Sequence, residues 1–538
     1  MKKFIFVLGF AFITAITLNS DTFYVDGNDP LANNSNPGTI NLPWLTIQHA
    51  ADQLMPGDTV FIRNAVYHEN VITTRSGNIN QGYIVFSTYP GENFTLDGTG
   101  VGDHTGLRIY HSFIIIDGWE ISNWTENGIW ISEAHNIFIN NCDVHDVFYG
   151  IGISDSTHDF ELNNVELYNF DLYGFDASPG NGACYNGILN NCIARNARDP
   201  QQNVDGFALG HGDQHNFTFN HCTAYDVFDG FDISSRNTSL NSCRAYNCWN
   251  GGFKLWEDSV VLINCIGYNC TGSNVELDWS GNPTRTEIIN STFYGAQTYT
   301  IWIENQNDTL YLFNSILSGG DNIGLAFEQY STDNYFGNCN LFHNYNQSRA
   351  IAVAYTDEFS LSDVQSGIWT SYSNQDSNSI VEFNPANIFL DYNSGDFHLC
   401  PQSPAIDQAS GQYAPNYDFE GNPRPYGSGY DIGAYEYQGV GVEEINTIYF
   451  NHHSATSIII NNCSIQIIFS IDSIEDVNLS IYNLAGQKID QIISSPLIPG
   501  TYCYHWDVNK HDICHNQLLY AILTAGEQTY VAKIIVME

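Results

Sequence analysis

V-D-G-F-A-L at Val204–Leu209, F-D-G-F-D-I at Phe228–Ile233 and N-G-G-F-K-L at Asn250–Leu255 are three lines of one repeat. Asp205 and Asp229 lie 24 residues apart, and Gly230 and Gly252 lie 22 apart. That period suits a solenoid in which each coil of chain rests on the last. Outward from these lines the same unit recurs from about Ile84: alternating apolar residues, a polar turn, more alternation, then Asn-Cys or an equivalent pair. Such pairs fall at Gly118-Trp119, Asn141-Cys142, Asn164-Val165, Asn191-Cys192, His221-Cys222, Ser242-Cys243, Asn264-Cys265, Asn290-Ser291, Asn314-Ser315 and Asn338-Cys339, at intervals of 21 to 30 residues. The strands are short, alternate inward and outward, and are broken by Gly, Asn and Asp. Helical solenoids are excluded because no helical periodicity recurs in the unit, and a propeller needs longer repeats of four strands each. The expected fold is all-β, a parallel β-helix of about ten coils; its right hand is what is general for such folds. The Asn repeated at each coil end is expected to bond its neighbours above and below as a ladder.

Composition narrows the function. In 538 residues, 16 Lys and Arg face 59 Asp and Glu, a net charge of −43. Such a surface argues against nucleic-acid binding, which needs phosphate neutralisation, and disfavours anionic membranes. A polyanionic partner needs local cations. Hydrophobic residues at 43% are ample for a buried core. Of the 13 cysteines, Cys222, Cys243 and Cys265 are 21 and 22 apart, and Cys248 and Cys270 are 22 apart. That is the coil period, so they are expected as columns of small buried side chains rather than disulfides. No cysteine–histidine zinc pattern is present.

In chain order, residues 1–20 carry Lys2, Lys3 and an apolar run from Phe4 to Ile16, the pattern of a secretory signal. Residues 21–437 form the β-helix, with a cap over about 21–83. In that cap Ile47, Ala50, Ala51 and Leu54 fall at helical spacing before Pro56-Gly57. Beyond Leu341 the repeat becomes irregular, and 388–437 reads as a polar closing segment. Residues 438–444 are a linker. Residues 445–538 read as a small β-sandwich domain. The protein is expected to be secreted or held at the cell surface, and monomeric.

Period-2 alternation sorts the residues of the three lines. Phe207, Leu209, Phe231, Ile233, Phe253 and Leu255 should point into the core. Ala208, Asp232, Lys254 and Glu276 then stack outward, one coil apart, while Asp205 and Asp229 stack just before their glycines. Lys254 is the only lysine between Lys3 and Lys488. Three carboxylates on two neighbouring coils repel unless a cation lies among them, and both Lys254 and a bound ion are candidates. Ca2+ suits several carboxylate oxygens, can grip a uronate carboxylate, and acidifies the adjacent carbon-bound proton for a positioned amine. The amine must be partly neutral, which a nearby divalent cation promotes. The plainer alternatives are a surface charge ladder and a purely structural calcium. Arg236 is a candidate for a second substrate carboxylate, His211–His215 is more simply a polar loop, and outward Trp130, Trp256 and Trp302 are candidate sugar platforms.

D-G-F-A at Asp205, D-G-F-D at Asp229 and N-G-G-F-K-L at Asn250 resemble polysaccharide lyase family 9, and the N-terminal Y-V-D-G…P-G-D-T-V segment resembles the same group, over about residues 22 to 437. The resemblance implies a pectate lyase-like right-handed β-helix acting on pectate or another acidic uronate polymer. It also implies a calcium cofactor held by Asp205, Asp229 and Asp232, with Lys254 as base. The family's pattern has two adjacent Asp before the glycine, where Phe228 stands here, and Asp226 is the candidate replacement. Two other readings stay open: a glycoside hydrolase using paired carboxylates, for which Lys254 is superfluous, and a non-catalytic glycan-binding protein. The last domain resembles the C-terminal sorting domain of the type IX secretion system, through V-N-L-S-I-Y-N-L-A-G-Q-K-I from Val477, P-G-T-Y-C-Y-H-W-D from Pro499 and L-Y-A-I-L-T-A-G-E from Leu519. That resemblance implies the secretion machinery as a partner.

Overall fold

The computed structural model describes residues 20–438, except 179, 201, 211, 278–282, 321 and 330, and most of 447–536. The signal segment, His211 and most of the linker lie outside the described residues. The contacts divide the chain into two compact units that meet between Glu436 and Tyr437.

The first unit is a parallel β-helix. One sheet has thirteen parallel strands in chain order, from Thr22–Val25 to Tyr335–Asn338. A second face is built from strands such as Thr223–Tyr225, Arg244–Tyr246 and Ile266–Tyr268. A third carries Asp205–Leu209, Phe231–Ile233, Phe253–Leu255 and Ser273–Leu277. Inside, side chains of one type stack coil on coil. Phe207, Phe231 and Phe253 stack with ring centroids 5.0 and 5.1 Å apart. Cys192, Cys222, Cys243 and Cys265 form one buried column and Cys248 and Cys270 another, and all six thiols are free.

Corners depend on the left-handed backbone that Asn tolerates better than most residues. Asn141, Asn164, Asn191, Asn264, Asn290 and Asn314 all have φ between 47° and 55°. The main ladder, however, runs one residue earlier than expected. Asn163, Asn190, Asn220 and Asn241 each donate from Nδ2 to Oδ1 of the Asn one coil before, at 2.8 to 3.0 Å, starting from Asn140. The side chain preceding the turn carries this run, and the left-handed residues add separate rungs of their own, Asn164 donating to Asn141 and Asn314 to Asn290, each at 3.1 Å. The final pair is also offset by one: Cys339 takes the left-handed position and Asn340 the buried column.

Both ends of the solenoid are covered by short helices. The helix Ile47–Gln53 is capped by Thr46, and Glu69 accepts hydrogen bonds from the amides of Ile47 and Gln48. At the other end, helices Leu361–Gln365 and Ile368–Ser373 bury Leu361, Val364 and Trp369. Trp369 and Tyr335 both donate to Asp376 Oδ2. The part of the closing segment after Ser403 therefore does not close the end. It lies along the corners of three coils, where Asn264, Asn290 and Asn314 donate to the carbonyls of Tyr417, Asp431 and Ser410. Arg424 and Glu436 pair there at 2.8 Å, fully buried.

The second unit has a four-stranded and a five-stranded sheet. Ile467, Phe469 and Trp506 from one and Val477, Leu479, Leu519 and Ile534 from the other share one core, which is the expected sandwich.

Candidate active site

Strand register brings the acid–lysine residues together. Ala208, Asp232, Lys254 and Glu276 are successive partners on the third face, and the row continues to Asp176 before and Trp302 after. Their neighbours Phe207, Phe231, Phe253, Leu209, Ile233 and Leu255 are buried, so alternation turns the row outward. Outward is not exposed here: Lys254 is 8% accessible and Asp229 is 0%.

Asp229 is the hub. Its Oδ1 accepts from the Gly251 amide at 2.7 Å and from Asn250 Nδ2 at 2.9 Å, and its Oδ2 accepts from Lys254 Nζ at 3.0 Å. Lys254 Nζ also lies 3.6 Å from Asp232 Oδ2 and 4.7 Å from the centre of the Trp256 ring. Trp256 is thus a wall of the lysine's slot, an attractive one for an ammonium, rather than an open sugar platform. Burial alone would lower the Lys254 pKa, but the charges of Asp229 and Asp232 outweigh it and hold the amine well above its ordinary value. In this arrangement the ammonium itself sits among the carboxylates.

Asp205 completes the group. One oxygen of each of Asp205, Asp229 and Asp232 lies within 4.8 Å of the others. Asp205 is 1% accessible; its Oδ2 accepts from Asn203, while its Oδ1 is buried with no hydrogen-bond partner among the described residues. Burial, then the charges of Asp229 and Asp232, push its carboxyl well above the usual carboxylate range. A buried carboxylate oxygen without a donor is costly. An oxygen-seeking divalent cation would satisfy it, so the donor set fits Ca2+.

Several residues fall elsewhere. Arg236 does not join the cluster: it pairs with Asp213 at 3.2 Å on the corner that leads back to the first sheet, bridged in register to His215. Asp226 occupies a left-handed corner with φ 52° and is not one of the three grouped carboxylates, so it does not replace the acid missing at Phe228. Trp130 covers Gly152, and Trp302 packs on Tyr299 at 5.2 Å. His215 stacks on Tyr185 at 5.1 Å, one rung of an aromatic ladder.

Two contributors were not singled out in the sequence. Gly251 holds the coil position that follows Asp205 and Asp229, and a Cβ there would lie 2.9 Å from Asp229 Oδ1 and 3.0 Å from Lys254 Cγ. The missing side chain is what lets the lysine stem fold back over Asp229. Asn250 beside it anchors the same carboxylate. Both stand in the N-G-G-F-K-L line, where their coil register was the available signal. The row is also acidic at both flanks. Burial pushes Asp176 up to about 6, partly offset by the Ser178 hydroxyl. Burial pushes Glu276 up to about 7, with Lys254 offsetting and the charges of Asp229 and Asp232 adding.

Residues 23–284 match the family described as Pel9A-like, right handed beta helix region. Pectate lyase L of Paenibacillus polymyxa (strain SC2) is 27% identical over 316 residues, which cover 51% of this chain and 63% of that protein. The uncharacterized protein YwoF of Bacillus subtilis (strain 168) is 29% identical over 116 residues, 19% of this chain and 24% of that protein. The chain thus spans less than two thirds of either relative. The crystal structure of pectate lyase Pel9A aligns over 78% of this chain and 96% of its own, with a TM-score of 0.47 and 15% identity.

Proposed function

We propose that this chain is a polysaccharide lyase that cleaves a uronic-acid polymer by β-elimination, with pectate, the word its relatives' names carry, or polygalacturonate as the first substrate to test. The observation that carries the reading is the contact of one buried lysine with a triad of carboxylates: Lys254 Nζ at 3.0 Å from Asp229 and 3.6 Å from Asp232, with an unpartnered buried oxygen on Asp205 beside them. The Pel9A-like match over residues 23–284 and the similarity to pectate lyase L support it.

Asp205, Asp229 and Asp232 would hold the calcium. Bound there, Ca2+ would grip the substrate carboxylate and offset the negative charge that keeps Lys254 protonated. Asn250 and Gly251 fix Asp229, and Gly251 leaves room for the lysine stem. Neutral Lys254 Nζ takes the proton from the carbon bearing the uronate carboxyl. The electron pair of that C–H bond forms the new carbon–carbon double bond, the glycosidic C–O bond breaks, and the departing oxygen takes a proton from water. A hydrolase would use two carboxylates across a scissile bond and no lysine; here the carboxylates face the ammonium instead.

The C-terminal sandwich is proposed to address the chain outward through the type IX machinery, and the protein to be secreted and monomeric. Among the described residues no helix is long and apolar enough to cross a membrane.

The test is incubation with uronate polymers, with calcium or with chelator, reading ultraviolet absorbance of unsaturated ends. The expected result is calcium-dependent absorbance that is lost in Lys254→Ala. Products that lack the double bond would instead establish hydrolysis.

A further inference from the structure

The outward row around Lys254 is short of positive charge. In the outward row of the third face, the only base other than Lys254 is Arg108, six coils earlier and paired with Asp103 at 2.6 Å. The arginines at the neighbouring corners are committed as well. Arg198 pairs with Asp146 and Asp171, and Arg236 pairs with Asp213. Glu276 follows Lys254 directly in the row, and Asp176 precedes it by three coils, with the small Ala208 between Asp176 and Asp232. Beyond Glu276 the surface turns aromatic, with Trp302 packed on Tyr299.

Coils repeat every ~4.8 Å, comparable with the length of one sugar ring. A sugar chain along the row would therefore meet Lys254 and the acidic triad at one ring, and a carboxylate or aromatic ring at the next. One uronate carboxylate can be matched at the reacting ring. A second, on an adjacent ring, would face Glu276 with no base among the described residues to receive it, and above about pH 7, where Glu276 is ionised, like charges at that range repel. Aromatic rings and carboxylates suit the faces and hydroxyls of uncharged sugars.

We propose that the site selects a polymer whose free uronates are isolated from one another, either alternating with neutral sugars or flanked by esterified carboxyls, rather than a continuous polyuronate. This deepens the lyase reading and rests on it.

The experiment compares three polymers at one saturating calcium concentration: fully de-esterified polygalacturonate, highly methyl-esterified pectin, and a polymer alternating uronate with neutral sugar. Initial rates of double-bond formation are read for the native protein. Binding is read separately by affinity electrophoresis of the full-length Lys254→Ala variant. The expected result is at least tenfold higher kcat/KM on one of the isolated-uronate polymers than on polygalacturonate, with the same order in binding. The esterified and alternating arms identify which source it is. In Glu276→Gln the preference should narrow severalfold, because removal of the charge favours polygalacturonate. Fastest cleavage and tightest binding of polygalacturonate would overturn the selectivity while leaving the lyase reading intact. Ordered binding without any unsaturated product would sink the lyase reading and keep the selectivity. Binding to none of the three would overturn both.

Discussion

Replacing Lys254 by Met tests whether the ammonium and a metal ion compete for the same carboxylates. Methionine keeps most of the stem volume and removes the charge. In the native arrangement Nζ lies 3.0 Å from Asp229 Oδ2 and 3.6 Å from Asp232 Oδ2. With an effective dielectric of about 20, those separations give gross attractions of about 5 kcal/mol each, most of it offset by the desolvation of the buried groups. Removing one partner of a buried pair typically costs about 3–5 kcal/mol, because the other is left uncompensated. Lys254→Met should therefore lose about that much stability in chelator, with Asp229 at 0% accessibility the group left stranded. Calcium should then restore more stability to the variant than it adds to the native protein. In the native protein the ion must first separate Lys254 from Asp229, whereas in the variant no ammonium competes for the three carboxylates. A ligand present at about 100 times its Kd contributes about 2.7 kcal/mol, so the difference is measurable. Urea unfolding of both proteins, in chelator and across a calcium titration, reads both quantities. Equal calcium stabilisation of the two proteins would refute competition, and a loss below about 1 kcal/mol in chelator would show that the ion pair is not a buried one in solution.

Three further outcomes follow from the same geometry. Gly251→Ala places a Cβ 2.9 Å from Asp229 Oδ1 and 3.0 Å from Lys254 Cγ; stability should fall by about 1–3 kcal/mol, and lyase activity should drop far more than substrate binding, measured as kcat against KM. In chelator, stability should decline as pH rises from about 4 to about 7, the value to which Glu276 is raised. A carboxyl with a raised folded pKa keeps its proton in the fold where the unfolded chain has lost it, and that advantage disappears as the pH climbs past the folded value; Asp176, raised to about 6, and Asp205 act in the same direction. Unfolding curves at pH 5 and pH 8 check the sign. Arg424→Met should cost about 3–5 kcal/mol by stranding buried Glu436, and it should open the strap of residues 403–436 to limited proteolysis.

The coil period carried most of the fold. Phe207, Phe231 and Phe253, the cysteine columns and the outward row Ala208–Asp232–Lys254–Glu276 all follow from alternation plus a fixed repeat, because a parallel register leaves each residue type only one place to stack. What did not follow was set by three-dimensional detail. The Asn ladder is shifted by one because sequence pairs Asn with Cys at the turn but does not say which of two adjacent Asn residues takes the left-handed backbone. The strap of residues 403–436 lies beside the coils because its carbonyls at Tyr417, Asp431 and Ser410 accept from Asn264, Asn290 and Asn314, a pairing invisible until the corners are built. Arg236 was assigned near Asp232 by sequence distance, yet three residues are enough to carry the chain around a corner onto another face.

Charge balance explains why Phe228, where the family pattern has an acid, is compatible with the proposed site. When all three are ionised, the carboxylates carry two more negative charges than the one ammonium offsets, and an oxygen of Asp205 is buried with no hydrogen-bond partner among the described residues. One divalent cation cancels both charges. A fourth acid at position 228 would leave the loaded cluster negative while Lys254 is charged, and would strengthen the field that keeps the lysine protonated. With Phe228 the same ion instead competes with fewer charges for influence over the amine, at the cost of one ligand. On this reasoning Phe228→Asp should raise calcium affinity, measured by calorimetry on the full-length protein, and shift the alkaline limb at which Lys254 loses its proton to higher pH. A variant that binds calcium more tightly but leaves that limb unmoved would separate the two effects and show that position 228 governs the ion alone.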